Sequence, residues 1–455
     1  MCDLIITDTA VLFPDGTIRD GQTVEVCGGV ITRVSKTDEK DRAAEAAARL
    51  PGKGRLLMPG LADCHMHTGQ QLLKGRVLDA LPMIWTRIML PFESTLTEEK
   101  MELSASLAAL EMIKSGTTAF VDAGSYYMET AADVYLKSGL RGLISASTMD
   151  EKGLPDSIAQ NADEAVAQTD RLYDGYHGKG NLKVAYSLRS LISCSDELMT
   201  KVSDRAKERG AKIQAHMNEY PGEINHFLVR KQMRPFEYLE SLGILDGDFI
   251  AAHCILLSEK EKELLEEREV KVCHCPFSNC GKGVPDTPSL LQKGICVGLG
   301  TDGAAHGGLS LWNEMKIFRS VMNVKWGVST ADPAIMPAAR ILSMASQNGY
   351  KIMGIPEGGM IKPGAPADFI TVRMDQPHLY PTGNPVNTLL ECVTAADTAD
   401  MAVGGKLLMK DRQVLTLDQE KILFEARKYM ERQVSLQTGL SSILCPSSSE
   451  RRALR

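Results

Sequence analysis

Over roughly the first 55 residues, apolar and polar positions alternate, which is the signature of half-buried strands. Val24 to Val34 places alternating apolar residues on either side of Gly28-Gly29, a pair suited to a two-residue hairpin turn. The signature returns late in the chain. Asp368 to Val372 reads as a strand, and Met401 to Leu408 carries a second Gly-Gly pair. The two β-rich ends predict one small sheet domain, a β-sandwich assembled from both termini.

The middle has another rhythm. Short β-branched or apolar runs end near His67, Asp122, Thr148, Leu188, His216, His253, Cys275 and Asp302, with longer helical stretches between them. One such stretch is Thr97 to Ser115. Thr95 and Glu98 have capping-box spacing, Leu103, Leu107, Leu110 and Ile113 recur near the helical period, and Gly116 supplies a stop. Eight strand–helix units over roughly 240 residues predict an α/β fold, a (β/α)8 TIM barrel. A doubly wound open sheet is the alternative, but its phosphate-binding glycine fingerprint is missing. The expected organisation is 1–57 with 364–416 as the composite β domain and 58–363 as the barrel. A C-terminal helix and tail then fill 417–455, with the helix over Asp418 to Gln433 and the tail from Ser435.

Composition narrows the class. The chain has 455 residues, 44% hydrophobic and 24% charged, with a formal charge of −7. That is ordinary globular material, and mild acidity argues against a nucleic-acid or anionic-membrane surface. No apolar run approaches the ~20 residues of a membrane span. The N-terminus shows no secretory pattern, and eleven scattered cysteines do not form a disulfide framework. The expectation is a reduced, cytoplasmic protein.

Candidate chemistry lies in the histidines. His65 and His67 form an H-x-H on one strand, and period-two geometry points both rings to the same side. His216 ends the fifth strand and Asp302 ends the eighth, on the barrel rim where active sites are built. Together they offer three nitrogens and a carboxylate to one divalent ion, zinc or ferrous iron. Glu219, three residues beyond His216, suits a proton shuttle, and His253 could orient the attacking water or stabilise developing charge. Arg189 closes the fourth strand where a bridging anion would be needed for a second ion, so a mononuclear site is predicted. A rival zinc cluster at Cys273-His274-Cys275 with Cys280 is disfavoured, because neighbouring strand residues face opposite ways. His306 is a further candidate for the pocket.

These motifs (Pro59 to His67, His216-x-x-Glu219, His253-Cys254 and Gly300-Thr301-Asp302-Gly303) resemble the amidohydrolase superfamily over nearly the whole chain. Within it they are most similar to methylthioadenosine/S-adenosylhomocysteine deaminases, through Leu72 to Gly75, Leu90 to Glu93 and Ser278-Asn279. The resemblance implies one metal on His65, His67, His216 and Asp302, with Glu219 and His253 flanking the reacting centre; Asp302 is further expected to take a proton from the metal-bound water. It implies Glu93 as acceptor for a ribose diol, Trp85 as an aromatic wall, and a homodimer. Two departures stand out. Arg189 replaces the family's usual histidine, and the strand-three end, Ser145 to Thr148, lacks arginines for an amino-acid carboxylate. The implied activity is hydrolytic deamination of an adenosine-type nucleoside. Free bases, pterins, triazines and cyclic amides on the same scaffold are the alternative substrates, and a catalytically dead scaffold is the alternative class.

Overall fold

The computed structural model describes residues 2–77 and 84–444. Five strands precede the barrel: β1 (Cys2–Leu12), β2 (Ile18–Cys27), β3 (Val30–Lys36), β4 (Ala46–Pro51) and β5 (Arg55–Pro59). Gly28 and Gly29 both sit at positive φ (59° and 79°) between β2 and β3. This is the turn geometry that matches strand twist, and it is open to glycine without strain.

Eight barrel positions follow. They are β6 (Leu61–His67), β7 (Thr117–Asp122), β8 (Arg141–Ile144), β9 with β10 (Leu182–Val184, Tyr186–Leu188), β11 (Ile213–Met217), β12 (Phe249–His253), β13 (Lys271–His274), and β14 with β15 (Val297–Leu299, Asp302–Gly303). All pair in parallel, as two half-sheets, β15-β6-β7-β8-β9 and β10-β11-β12-β13-β14. The fourth and eighth positions are each split in two, and each passes the ladder from one half-sheet to the other, so the ring closes. Inside it lie small side chains, Ala62, Cys64, Ala119, Val121, Cys273 and Cys275 among them. The sequence places the third strand's end near Thr148, whereas the ladder stops at Ile144. Ser145 to Thr148 instead continue as irregular chain tied across the rim, with Ser147 N donating to Ser125 O and Arg189 N to Thr148 O.

Four strands return to the terminal domain: β16 (Phe369–Arg373), β17 (Thr398–Val403), β18 (Lys406–Lys410) and β19 (Gln413–Val414). They join the first five in one hydrogen-bonded order, β19-β18-β17-β16-β5-β1-β2-β3, with β4 beside β1. The chain's two ends meet where β16 runs antiparallel to β5. Leu4, Val24, Val26, Leu57, Phe369 and Ala402 close a core of its own there.

The helix predicted from Thr97 runs Glu98–Ser115, but its cap is Thr97, whose side chain accepts from Lys100 N. Thr95 instead donates to Phe92 O and closes the preceding turn. The buried face takes in Leu110 and Ile113 but leaves Leu103 and Leu107 half-buried. Met101, Ala105, Ala108, Ala109 and Met112 are fully buried, because alanines let the helix approach the barrel closely. Leu107 and Leu110 look toward the C-terminal helix, lining a groove with Leu423. That helix runs Gln419–Leu444, longer than the sequence suggests, and the serine-rich tail lies outside the described residues.

Candidate active site

Every strand that delivers a candidate residue ends at the same rim, and three of the chain turns there are strained. Asn218, His253 and Asp302 have φ of 49°, 70° and 59°. Such non-glycine backbone persists where surrounding structure holds it, and it concentrates at functional sites. Here it re-aims side chains at strand ends toward the barrel axis.

His65, His67 and Asp302 bring donor atoms within 4.8 Å of one another, as do His65, His216 and His253, so the fourth proposed ligand, His216, joins the set through the two histidines of the first strand. His67 Nε2 lies 3.2 Å from His216 Nε2 and 3.3 Å from Asp302 Oδ1, and His65 Nε2 lies 3.9 Å from the same oxygen. A zinc ion at about 2.0–2.1 Å from each of four donors needs donor separations of roughly 3.3 Å. His65 Nε2 is buried without a hydrogen-bond partner, a costly state that a cation would relieve. Burial, then the nearby His67 and His253 rings, holds the His65 imidazole well below its usual range. For His216 the cause is burial, then His65 and Arg189. Both therefore stay neutral, although Arg189 Nη1 stands 3.3 Å from His216 Nε2. Burial resists ionisation of Asp302, but His306, His67 and Lys282 hold its carboxyl well below the carboxylate range. Neutral imidazoles and an ionised carboxylate are the donor set a divalent cation requires, and the residues fit it.

Two buried carboxylates anchor this set. Asp63 accepts from His65 N at 3.2 Å, Thr301 N at 3.1 Å and Thr301 Oγ1 at 2.6 Å. It so ties the first strand's end to the eighth, and burial pushes its pKa up to about 7. Glu223 accepts from Asn218 N and Glu219 N, each at 3.0 Å. Burial lifts it to about 8, and it fixes the turn that carries Glu219.

Glu219 faces the cavity with Oε1 3.5 Å from His253 Nε2 and paired to Lys282 Nζ. Burial resists its ionisation, yet His253 and then Lys282 outweigh it and lower its pKa. His253 donates from Nδ1 to Asn279 Oδ1 at 3.0 Å, which leaves Nε2 toward Glu219. Burial opposes charging of this ring, but Glu219 and then Cys275 lift it to about 9. His306 is buried, its Nδ1 3.8 Å from Asp302 Oδ2, and it lines the same cavity.

Trp85, on the helical turn Trp85–Met89, forms an apolar outer wall of that cavity with Ile84, Met89 and Ile192. Glu93 is buried and lies outside the cavity lining. Gln70 Nε2 donates to its Oε1 at 2.8 Å, and Arg189 Nη2 pairs with the same oxygen at 3.0 Å. Gly303 leaves room for this arrangement, since a Cβ there would fall 1.6 Å from Gln70 Oε1. Arg189 Nη1 lies 2.9 Å and 3.1 Å from the two ring nitrogens of His67. One atom almost equidistant from both nitrogens cannot lie in the ring plane without striking Cε1. The guanidinium therefore sits over the ring face, and the His67 lone pair stays open to a metal. Arg189 brings a fixed positive charge to the rim.

The rival cysteine cluster does not assemble. Cys273 and Cys275 pack inside the barrel, His274 turns outward to donate to His253 O at 2.8 Å, and Cys280 is exposed. Sequence reasoning misses Gln70, Glu223 and Lys282. Gln70 is legible only as a polar residue three positions past His67, and Lys282 as a lysine flanked by Gly281 and Gly283 just after Ser278-Asn279.

Comparison with known proteins agrees with this geometry. The chain is 35% identical over 448 residues to a 5'-deoxyadenosine deaminase of Methanosarcina acetivorans, covering 96% of this chain and 99% of that protein. It is 33% identical to a 5-methylthioadenosine/S-adenosylhomocysteine deaminase of Pelotomaculum thermopropionicum, covering 94% and 98%. Among solved structures, a zinc-bound adenosine deaminase of Xanthomonas campestris superposes with a TM-score of 0.88 at 26% identity, covering 95% and 98%. The Amidohydrolase family model matches residues 56–408. A closed parallel barrel with a small β domain, a divalent-metal donor set at its rim and that match together make this chain a member of the amidohydrolase family.

Proposed function

We propose that this chain is a mononuclear, zinc-dependent deaminase of adenosine-type nucleosides. The observation that carries the reading is the grouping of His65, His67, His216 and Asp302 at a cavity that His67, His216, Asp302 and Glu219 line, with buried His253 3.5 Å behind the Glu219 carboxylate. An ion held by those four residues would supply the Lewis acidity that lets water attack near neutral pH. Glu219, ionised at rest, takes one of the water's two protons and passes it to the ring nitrogen beside the amine-bearing carbon, and His253 stands beside it where charge develops. Asp302 takes the water's other proton and gives it up to the amine. The amine leaves as ammonia after taking a second proton, and the ring carbon keeps the water's oxygen, so an adenine becomes a hypoxanthine. Arg189 stands against a second dication and supports a single ion.

Glu93 is assigned to the ribose diol, whose two hydroxyls would have to reach its carboxylate past Gln70 and Arg189. The outer wall then meets the 5' substituent. It is apolar, and the two cations that line the cavity among the described residues, Arg189 and Lys282, are already tied to Glu93 and Glu219. A homocysteine carboxylate would stay unpaired there, so 5'-deoxyadenosine and methylthioadenosine are the expected substrates. Adenosylhomocysteine should fall at least ~10-fold lower in kcat/KM, since a desolvated, unpaired charge is costly. Ammonia release across these three compounds, plus free adenine and guanine, tests the assignment. Equal or better turnover of adenosylhomocysteine would refute the apolar-end reading, and activity confined to free bases would refute the role of Glu93.

Glu93→Gln carries a separate expectation. KM for 2',3'-diol substrates should rise ~10–100-fold, the range for losing a charged hydrogen-bond acceptor, while KM for a 2',3'-dideoxy analogue barely moves. The described cysteines are free thiols, which supports a reducing compartment such as the cytoplasm. The family resemblance further suggests a homodimer, which light scattering would check.

A further inference from the structure

Lys282 plays no part in the chemistry above, yet it is among the most enclosed charges in the molecule. Its side chain is 7% exposed and lines the cavity. Nζ pairs with Glu219, donates to Ser278 Oγ at 2.7 Å and stands 3.7 Å from Asp302 Oδ2. Ser278 Oγ in turn donates to that Oδ2 at 2.5 Å. One ammonium therefore reaches the proton shuttle directly and the carboxylate ligand through a hydroxyl.

The segment carrying it is itself fixed. Lys282 N and Gly283 N both donate to Asn279 O, at 2.8 and 2.9 Å, and Asn279 holds His253. Buried Glu314 accepts from Phe277 N at 2.8 Å and secures the start of the turn. The face of Tyr220 lies 5.2 Å from Nζ and closes off the remaining side. A long flexible side chain held this way has lost its rotamer freedom, which suits a fixed support.

We propose that Lys282 is a positioning residue for the hydrolysis, aiming the Glu219 carboxylate into the cavity and, through Ser278, holding Asp302 so that Oδ1 faces the histidines. The proposal rests on the deaminase reading. Without Lys282 the carboxylate would keep only His253, 3.5 Å away, and could leave its aim into the cavity; displacement of a reacting group by about 1 Å costs on the order of 100-fold.

Lys282→Met, loaded with zinc, should keep its metal and its KM within ~3-fold while kcat falls on the order of 100-fold. Lys282→Ala should regain ~10-fold in kcat on addition of ethylammonium or propylammonium, and nothing from a neutral alcohol of the same size. Because Lys282 acts through Glu219, the double variant Glu219→Gln/Lys282→Met should be no slower than Glu219→Gln alone, within ~3-fold. A kcat within ~3-fold of wild type in Lys282→Met, or losses that multiply in the double variant, overturns the proposal. If Lys282→Met does not fold, the amine rescue of Lys282→Ala decides, and failure of ammonium ions to restore turnover counts against the assignment. Wild-type protein that releases no ammonia from any nucleoside brings down the deaminase reading and this proposal with it. Normal wild-type turnover beside an indifferent Lys282→Met brings down the proposal alone.

Discussion

Glu219→Gln is expected to keep the metal and the fold while kcat falls by about 10²–10⁴, the range ascribed to a general acid–base group. Gln has nearly the same volume, and the backbone N–H of residue 219 would still donate to Glu223, so the turn with its strained Asn218 should survive. What is lost is the capacity to take up a proton and release it to the ring. An amide there also takes away the anion that pairs with Lys282 and that favours the charged form of His253, 3.5 Å away, so Lys282 is left without its direct partner. A modest loss of melting temperature should accompany the loss of rate. Metal content by elemental analysis, with single-turnover ammonia release, separates the two effects. Near-normal kcat in a metal-replete Glu219→Gln removes Glu219 from the proton path.

The architecture was open to a reader of the sequence because barrel strands and their helices alternate locally. Periodicity and capping residues report on local structure, and so do Gly28-Gly29 and Gly404-Gly405 at their hairpins. H-x-H, His216-x-x-Glu219 and Thr301-Asp302-Gly303 were legible for a related reason, since each sits at a strand end and the fold brings all strand ends to one rim. What stayed hidden depends on packing between segments distant in the chain. Whether Arg189 would meet Glu93, 96 residues away, or lie over the face of His67 cannot be derived from either neighbourhood. Lys282 is similar: as a lysine between glycines it reads as a solvated loop residue, and only the fold carries it to Glu219, 63 residues earlier. The period of Leu103, Leu107, Leu110 and Ile113 gave the helix Glu98–Ser115 but not its neighbours: alanines give the barrel close approach, while Leu107 and Leu110 line the groove toward the C-terminal helix.

Asp302→Asn should fail differently from Glu219→Gln, losing metal as well as rate. The Asp302 carboxylate uses both oxygens: Oδ1 accepts from Gly303 N at 2.7 Å and faces His67, while Oδ2 accepts from Ser278. Asn can retain the bond to Gly303 by turning its NH2 group toward Ser278 and Lys282, where it no longer accepts from Ser278 and stands against the Lys282 ammonium. The site also loses its one anionic ligand, leaving three imidazoles beside the Arg189 cation. Loss of even an outer-shell partner typically weakens metal binding 10–100-fold, so loss of this ligand should weaken zinc binding by at least about 100-fold. Binding to the native state stabilises it by RT ln(1 + [L]/Kd), about 2.7 kcal/mol at a ligand concentration 100 times Kd. Wild-type protein should therefore gain several degrees of melting temperature on zinc addition and lose them to a chelator, whereas Asp302→Asn should gain little at the same concentration. Saturating zinc should not restore its turnover, because the acceptor for one of the water's protons is gone as well. A zinc-induced melting shift equal to wild type would remove Asp302 from the ligand set, and turnover restored by zinc alone would remove it from the proton path.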